Sequence, residues 1–138
     1  MATLYGTQMA RIDVGTPTDP GFVDASARSF MEVVTLVSQA TTDTIVVARL
    51  PKGAVLRGAR IMADTSLGTS TIAIGTSGDA GKYRAAAVFT TADTWEEIGQ
   101  AENFHTALSA EEEVLVTIGA AALPASGRLL VQFDYAFN

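Results

Sequence analysis

The sequence predicts an all-β domain, an eight-stranded antiparallel jelly-roll or β-sandwich preceded by an extended N-terminal arm. Three observations predict it. Short runs rich in Val, Ile, Thr and aromatic residues recur from residue 29 to the C-terminus. Turn signals built from Gly, Pro, Asp and Ser separate them at roughly the 8–12-residue spacing of sandwiches and jelly rolls. No internal repeat, heptad pattern or long amphipathic helical pattern competes with them. An open immunoglobulin-like sandwich fits the same strand count and is the second reading.

Residues 29–38 (SFMEVVTLVS) open the strand region and are apolar on both parities. That pattern suits a strand buried on both faces or one lodged in an interface. Residues 44–50 (TIVVARL) form the next strand, and Pro51-Lys52-Gly53 ends it. Proline presets φ for a turn and glycine supplies a positive φ where one is needed. Residues 55–64 (VLRGARIMAD) then alternate, with Val55, Arg57, Ala59, Ile61 and Ala63 on one face. Residues 71–75 (TIAIG) are a short strand, and residues 76–82 are the most turn-rich stretch. Residues 83–90 (YRAAAVFT) read as a strand through Tyr83, Val88 and Phe89, although their alanines would also suit a helix. Residues 95–98 are a short strand, and 103–108 are a strand or a helical turn. Residues 111–118 emerge as a strand from an acidic turn. Residues 128–137 (RLLVQFDYAF) show the clearest period of two, Leu129, Val131, Phe133, Tyr135 and Phe137 alternating with Leu130, Gln132, Asp134 and Ala136.

The 138 residues suit one core, with residues 1–28 as the arm and 29–138 as the sandwich. The arm is broken by Gly6, Gly15, Pro17, Pro20 and Gly21 and carries two apolar–aromatic anchors, Leu4-Tyr5 and Phe22-Val23. Charged residues make up 17% of the chain, below the usual fraction of about 25%. The apolar and neutral surface this leaves points to a partner or oligomer interface. Its expected residues are Leu4, Tyr5, Phe22, Val23, Leu50, Pro51 and Trp95.

A formal net charge of −6 argues against nucleic acid as a partner, because such binding needs clustered Lys and Arg. No apolar run is long enough to span a membrane as a helix. Residues 1–8 lack the basic and apolar regions of a signal peptide. The chain has no cysteine, so disulfides and thiolate metal sites are both absent.

The sequence predicts no catalytic, cofactor or metal site. His105 is the only histidine, and only Glu102 lies near it as a carboxylate. No serine occupies a G-x-S-x-G elbow. Residues 75–82 (GTSGDAGK) resemble a phosphate-binding loop but place five residues between Gly75 and Gly81, and Tyr83 stands where Ser or Thr would hold magnesium. Asp79 lacks the spacing of a calcium loop. Glu111, Glu112 and Glu113 could hold a divalent cation weakly, but a solvated turn that discourages edge pairing explains them equally well. Trp95 reads as a core or rim anchor, since no neighbouring aromatic completes a stacking platform.

Several segments resemble the small virion structural proteins of tailed bacteriophages. They are residues 1–7 (MATLYGT), Asp19-Pro20-Gly21, the block 44–63 around Leu50-Pro51-Lys52-Gly53-Ala54, then Asp64, Leu67-Gly68, residues 71–75 and the closing GRLLVQFDY of residues 127–135. Residues 83–108 match least. The resemblance implies a head decoration or cement protein, a jelly-roll homotrimer that binds and stabilises the assembled shell. Its partners would be the major capsid protein or other virion proteins, and its location the virion after synthesis in the host bacterial cytoplasm. A head–tail connector, a tail or fibre component, and a carbohydrate-binding jelly-roll module are the alternatives.

Overall fold

The computed structural model describes residues 15, 27–41, 43–99, 104 and 106–137 of the chain. Eight strands run through them: β1 (Arg28–Thr35), β2 (Thr44–Leu50), β3 (Ala54–Ala63), β4 (Thr71–Gly75), β5 (Arg84–Val88), β6 (Glu96–Ile98), β7 (Glu112–Gly119) and β8 (Arg128–Phe137). They form two four-stranded sheets, ordered β1-β8-β3-β6 and β2-β7-β4-β5. Every pairing is antiparallel. First pairs with last, second with seventh, third with sixth and fourth with fifth, as if one long hairpin had been rolled up. This nested order is that of a jelly roll. It makes the jelly roll, not the immunoglobulin-like sandwich, the architecture of the chain.

Alternation in the sequence builds the core. Leu129, Val131 and Phe133 of β8 point inward, while Leu130, Gln132 and Asp134 stay half-buried on the outside. Ile61, Ile72, Ile74, Val116 and Ile118 meet them between the sheets. Tyr83 and Phe133 pack edge to face, their ring centroids 5.4 Å apart. The turn after β2 closes through Ala54 N–H donating to the Pro51 carbonyl at 3.1 Å, with Gly53 at φ +89°. The freedom to take that φ is what the glycine contributes.

Two strand expectations are corrected, the first by a bulge. In β3, Arg57 is an extra residue opposite β8, because the register passes from Leu56↔Tyr135 to Gly58↔Asp134. Parity therefore flips at Arg57, so Leu56 joins the core with Ala59 and Ile61 while Arg57 faces solvent. In β5 the strand is shorter than expected: Tyr83 and Phe89 flank it as buried residues, and Val88 is exposed. Among the described residues of 103–108, neither strand nor helix forms. Leu108 instead ties this stretch to the β2–β3 turn, accepting from Gly53 N–H at 2.8 Å and donating to the Ala54 carbonyl at 2.9 Å.

β1 is an edge strand with one face inward, so burial on both faces does not hold within a single chain. Val34 is buried, whereas Met31 and Val33 point outward and are about half exposed, at 50% and 46%. The loops β1–β2, β3–β4, β5–β6 and β7–β8 gather at one end of the sandwich. Leu36 N–H to the Gly127 carbonyl, Leu67 N–H to the Phe89 carbonyl and Leu123 N–H to the Gln39 carbonyl knit that end together. The start of β1, the end of β8 and the β2–β3 turn share the opposite end.

Candidate interaction surface

The outer face of the β1-β8-β3-β6 sheet is organised in cross-strand rows. Val33, Leu130 and Met62 occupy one row, since Leu130 is the register partner of both others. Residues facing each other this way touch through their side chains, so an apolar stripe crosses three strands. The next row carries Met31, Gln132 and Arg60. There Arg60 donates to Gln132 Oε1 from Nε and Nη2 at 3.3 and 3.2 Å, and Gln132 Nε2 donates to Asp134 Oδ1 at 3.1 Å. The Arg60 guanidinium lies 4.3 Å from the centroid of the Trp95 ring. The face thus grades from apolar at β1 to a polar, stacked rim at β6.

Of the residues expected at an interface, the three that the structure describes, Leu50, Pro51 and Trp95, are not brought to one place. Leu4, Tyr5, Phe22 and Val23 lie outside the described residues, as does His105. Leu50 is wholly buried; its side chain belongs to the core and offers no surface to a partner. Pro51 is half-buried in the β2–β3 turn, and Trp95 is partly exposed under Arg60. These two lie near opposite ends of β3, because the turn precedes Ala54 while Glu96, next to Trp95, pairs with Ile61. Strand rise of about 3.3 Å per residue separates them by roughly 20 Å. The Met31–Val33 stripe carried only one signal in the sequence, the apolar residues on both parities of 29–38.

The loop that resembled a phosphate cradle is closed on itself. Thr76 N–H and Lys82 N–H both donate to the Asp79 carbonyl, at 2.8 and 3.2 Å, and Asp79 N–H donates back to Thr76. Those amides are committed inside the loop rather than aimed at an anion, and β5 rather than a helix follows.

The acidic run separates into different roles. Glu113 faces Arg49 across the β2–β7 pair at 3.3 Å. Glu112 is half-buried, and its carboxylate accepts from Lys82 Nζ at 2.7 Å and from the Tyr83 hydroxyl. Burial, followed by the hydrogen bond and charge of Glu112, pushes the Tyr83 hydroxyl well above its ordinary pKa. A polar cavity of about 370 Å³ lies beside this cluster, lined by Lys82, Tyr83, Thr106, Leu108, Ser109 and Glu112. Its principal charges already face each other, which is the chemistry of a structural brace. Sequence reasoning did not find the brace, since 29 residues separate Tyr83 from Glu112. Among the described residues, no group of three or more His, Asp or Glu could hold a metal ion, and no helix is long and apolar enough to cross a membrane.

A second brace joins the two sheets. Arg84 of β5 is buried, with Nε donating to Glu96 of β6 at 2.7 Å. Its Nη1 donates to the Ile72 and Ala87 carbonyls at 2.6 and 3.0 Å, and Nη2 to the Val88 carbonyl at 3.1 Å.

Comparison with family models and with curated proteins finds no match. Solved structures do match. A chain of the cyanophage Pam1 capsid asymmetric unit superposes with a TM-score of 0.71 at 20% identity, covering 88% of this chain and 93% of that one. A chain of the Ralstonia phage GP4 capsid gives 0.63 at 22% identity, covering 89% and 90%. One from the acid-stable capsid of Helicobacter pylori bacteriophage KHP30 gives 0.63 at 9% identity, covering 82% and 90%. The fold is one that chains of phage capsids share. At these identities the likeness is one of architecture, and it spans nearly the whole of each capsid chain.

Proposed function

We propose that this chain is a structural protein of a phage virion, a decoration or cement protein that binds and stabilises the assembled shell as a homotrimer. The single observation that carries the reading is the jelly-roll likeness to three phage-capsid chains over most of both partners. The half-exposed apolar stripe at Met31 and Val33 supports it, because contiguous apolar surface on a soluble domain marks a contact. In this reading the partner is the major capsid protein or another virion protein, and the protein resides in the virion after synthesis in the host bacterial cytoplasm. No catalysis is involved.

Residues 1–27 act as an arm that reaches a neighbouring subunit, with Leu4, Tyr5, Phe22 and Val23 as anchors, since Arg28 already pairs in β1; Pro51 and Trp95 are contact residues of the folded domain. Aromatic and apolar anchors of this kind carry most of the energy of an interface. A protein that binds the finished shell but not its separate subunits stabilises the shell by mass action.

Deleting residues 2–27 tests the reading. The truncated protein should fold yet fail to occupy particles, and unchanged occupancy defeats the arm's role. A reconstruction of the particle tests the position: threefold or quasi-sixfold sites mean the capsid, whereas a sixfold or twelvefold ring means a head–tail connector or tail component.

A further inference from the structure

Among the described residues no strand pairs with the outer edge of β1, and side chains of the chain itself close that edge. In an antiparallel pair, alternate residues turn their N–H and C=O toward the partner strand and the residues between turn them away. Val33 N–H is met by the Glu32 carboxylate at 3.1 Å, so Val33 belongs to the set facing away from β8. The unbroken β1–β8 register puts Ser29, Met31 and Thr35 in that same set. Gln39 then reaches back from the β1–β2 loop, its Nε2 donating to the Thr35 carbonyl at 2.8 Å while its Oε1 accepts from Val37 N–H at 2.9 Å. Its backbone carbonyl accepts from Leu123 N–H at 3.0 Å, which anchors the residue.

Glu32 is otherwise an odd choice. It stands opposite Val131, on the inward face of the strand, where an apolar residue would bury more surface. An inward carboxylate on an edge strand is one of the devices that block strand addition. The other sheet edges carry devices of their own. β2 is bulged between Val46 and Ala48, β6 has three residues, and β5 is bulged with its Ala87 and Val88 carbonyls taken by Arg84.

We propose that Glu32 and Gln39 form a built-in guard that keeps the edge of β1 from adding a strand of a second copy. Association along this flank then runs through outward side chains and not through backbone pairing. The distinction matters for a chain whose β1 is rich in β-branched and apolar residues, the composition that pairs edge to edge when left open.

The test uses the full chain and two variants. Sedimentation velocity across a concentration series should give E32Q, which keeps an acceptor oxygen, the wild-type size distribution. The E32V/Q39V double variant should self-associate more tightly, on the order of tenfold for each guard removed, with added intermolecular β signal in the infrared amide band. A double variant that melts cooperatively and keeps the wild-type size distribution overturns the proposal. If that variant does not fold, amide exchange in the wild-type chain decides. Val33 and Val37 amides should exchange about tenfold more slowly than those of Ser29 and Met31, and equal rates overturn the proposal.

Discussion

The Tyr83 hydroxyl donates to the carboxylate of Glu112, joining the end of the β4–β5 loop to the first residue of β7. Lys82 holds the other oxygen of the same carboxylate, and the Tyr83 ring packs on Phe133 in the core. One residue therefore links the polar end of the sandwich to its interior. Tyr83→Phe keeps the ring and removes the donor, and should lower stability at neutral pH by about 1–3 kcal/mol. A urea titration measures it, and a midpoint equal to wild type would show the bond contributes nothing.

Alkaline unfolding should follow from the same contact. The folded pKa of Tyr83 is raised above its ordinary value near 10. The folded state then keeps a proton that the unfolded state releases, so the stability from this group is complete below about pH 10 and is lost as pH rises beyond it. Melting temperatures from pH 8 upward should fall more steeply for wild type than for Tyr83→Phe above that point. Parallel curves would place the alkaline transition elsewhere.

On the acid side the relevant carboxylate is Asp64. Arg128 N–H donates to Asp64 Oδ1 at 2.8 Å and the Arg128 guanidinium approaches Oδ2 at 3.5 Å. The backbone bond above all holds the Asp64 carboxyl below its ordinary pKa, with the Arg128 side chain adding to it. A depressed folded pKa contributes stability that is present above the ordinary carboxylate range and is lost as pH falls through the folded value. Asp64→Ala should thus be less stable than wild type at neutral pH, and the gap should narrow on acidification below about pH 4. Denaturant midpoints at both ends of that range check it.

Glycine positions offer a paired test of backbone space. A side chain on Gly75, at the end of β4, would drive into the backbone of Asp79 and Ala80, whereas one on Gly58 meets nothing within 4 Å. Gly75→Ala should destabilise by about 1–3 kcal/mol through overpacking, while Gly58→Ala should be near neutral. Equal melting temperatures for the two variants would contradict the tight loop.

These contrasts show what one sequence discloses. The alternation of β8 from Leu129 to Phe133 and the Pro51-Lys52-Gly53 turn were legible because each is local: parity sets a strand's buried face, and proline with glycine sets a turn. Beyond Phe133 the expected parity fails, since Ala136 is buried and Phe137 is exposed. The bulge at Arg57 was not, since an extra residue leaves composition unchanged while reversing parity, and that is why Leu56 is core. The same limit hid the role of Leu50. A strand-end leucine next to a turn looks available to a partner until the opposite sheet is in place to cover it. The braces Tyr83–Glu112 and Arg84–Glu96 depend on which strands become neighbours, and the order β1-β8-β3-β6 is written in no local pattern. For the interaction surface, both-parity apolarity at 29–38 correctly marked the strand but could not say which face stays open.

The open face of β1 supplies the remaining prediction. Met31 and Val33 are about half exposed, at 50% and 46%, and both point away from the core. Surface changes at such positions usually alter stability by less than about 0.5 kcal/mol. A Met31→Lys/Val33→Lys double variant should therefore melt near wild type. If the stripe meets another subunit, the two buried ammonium groups would lack partners there, and binding should weaken by several kcal/mol. Native mass measurement and particle occupancy separate the cases. A well-folded variant that associates and decorates as wild type would remove this face from the interface and leave the N-terminal arm as the contact to pursue.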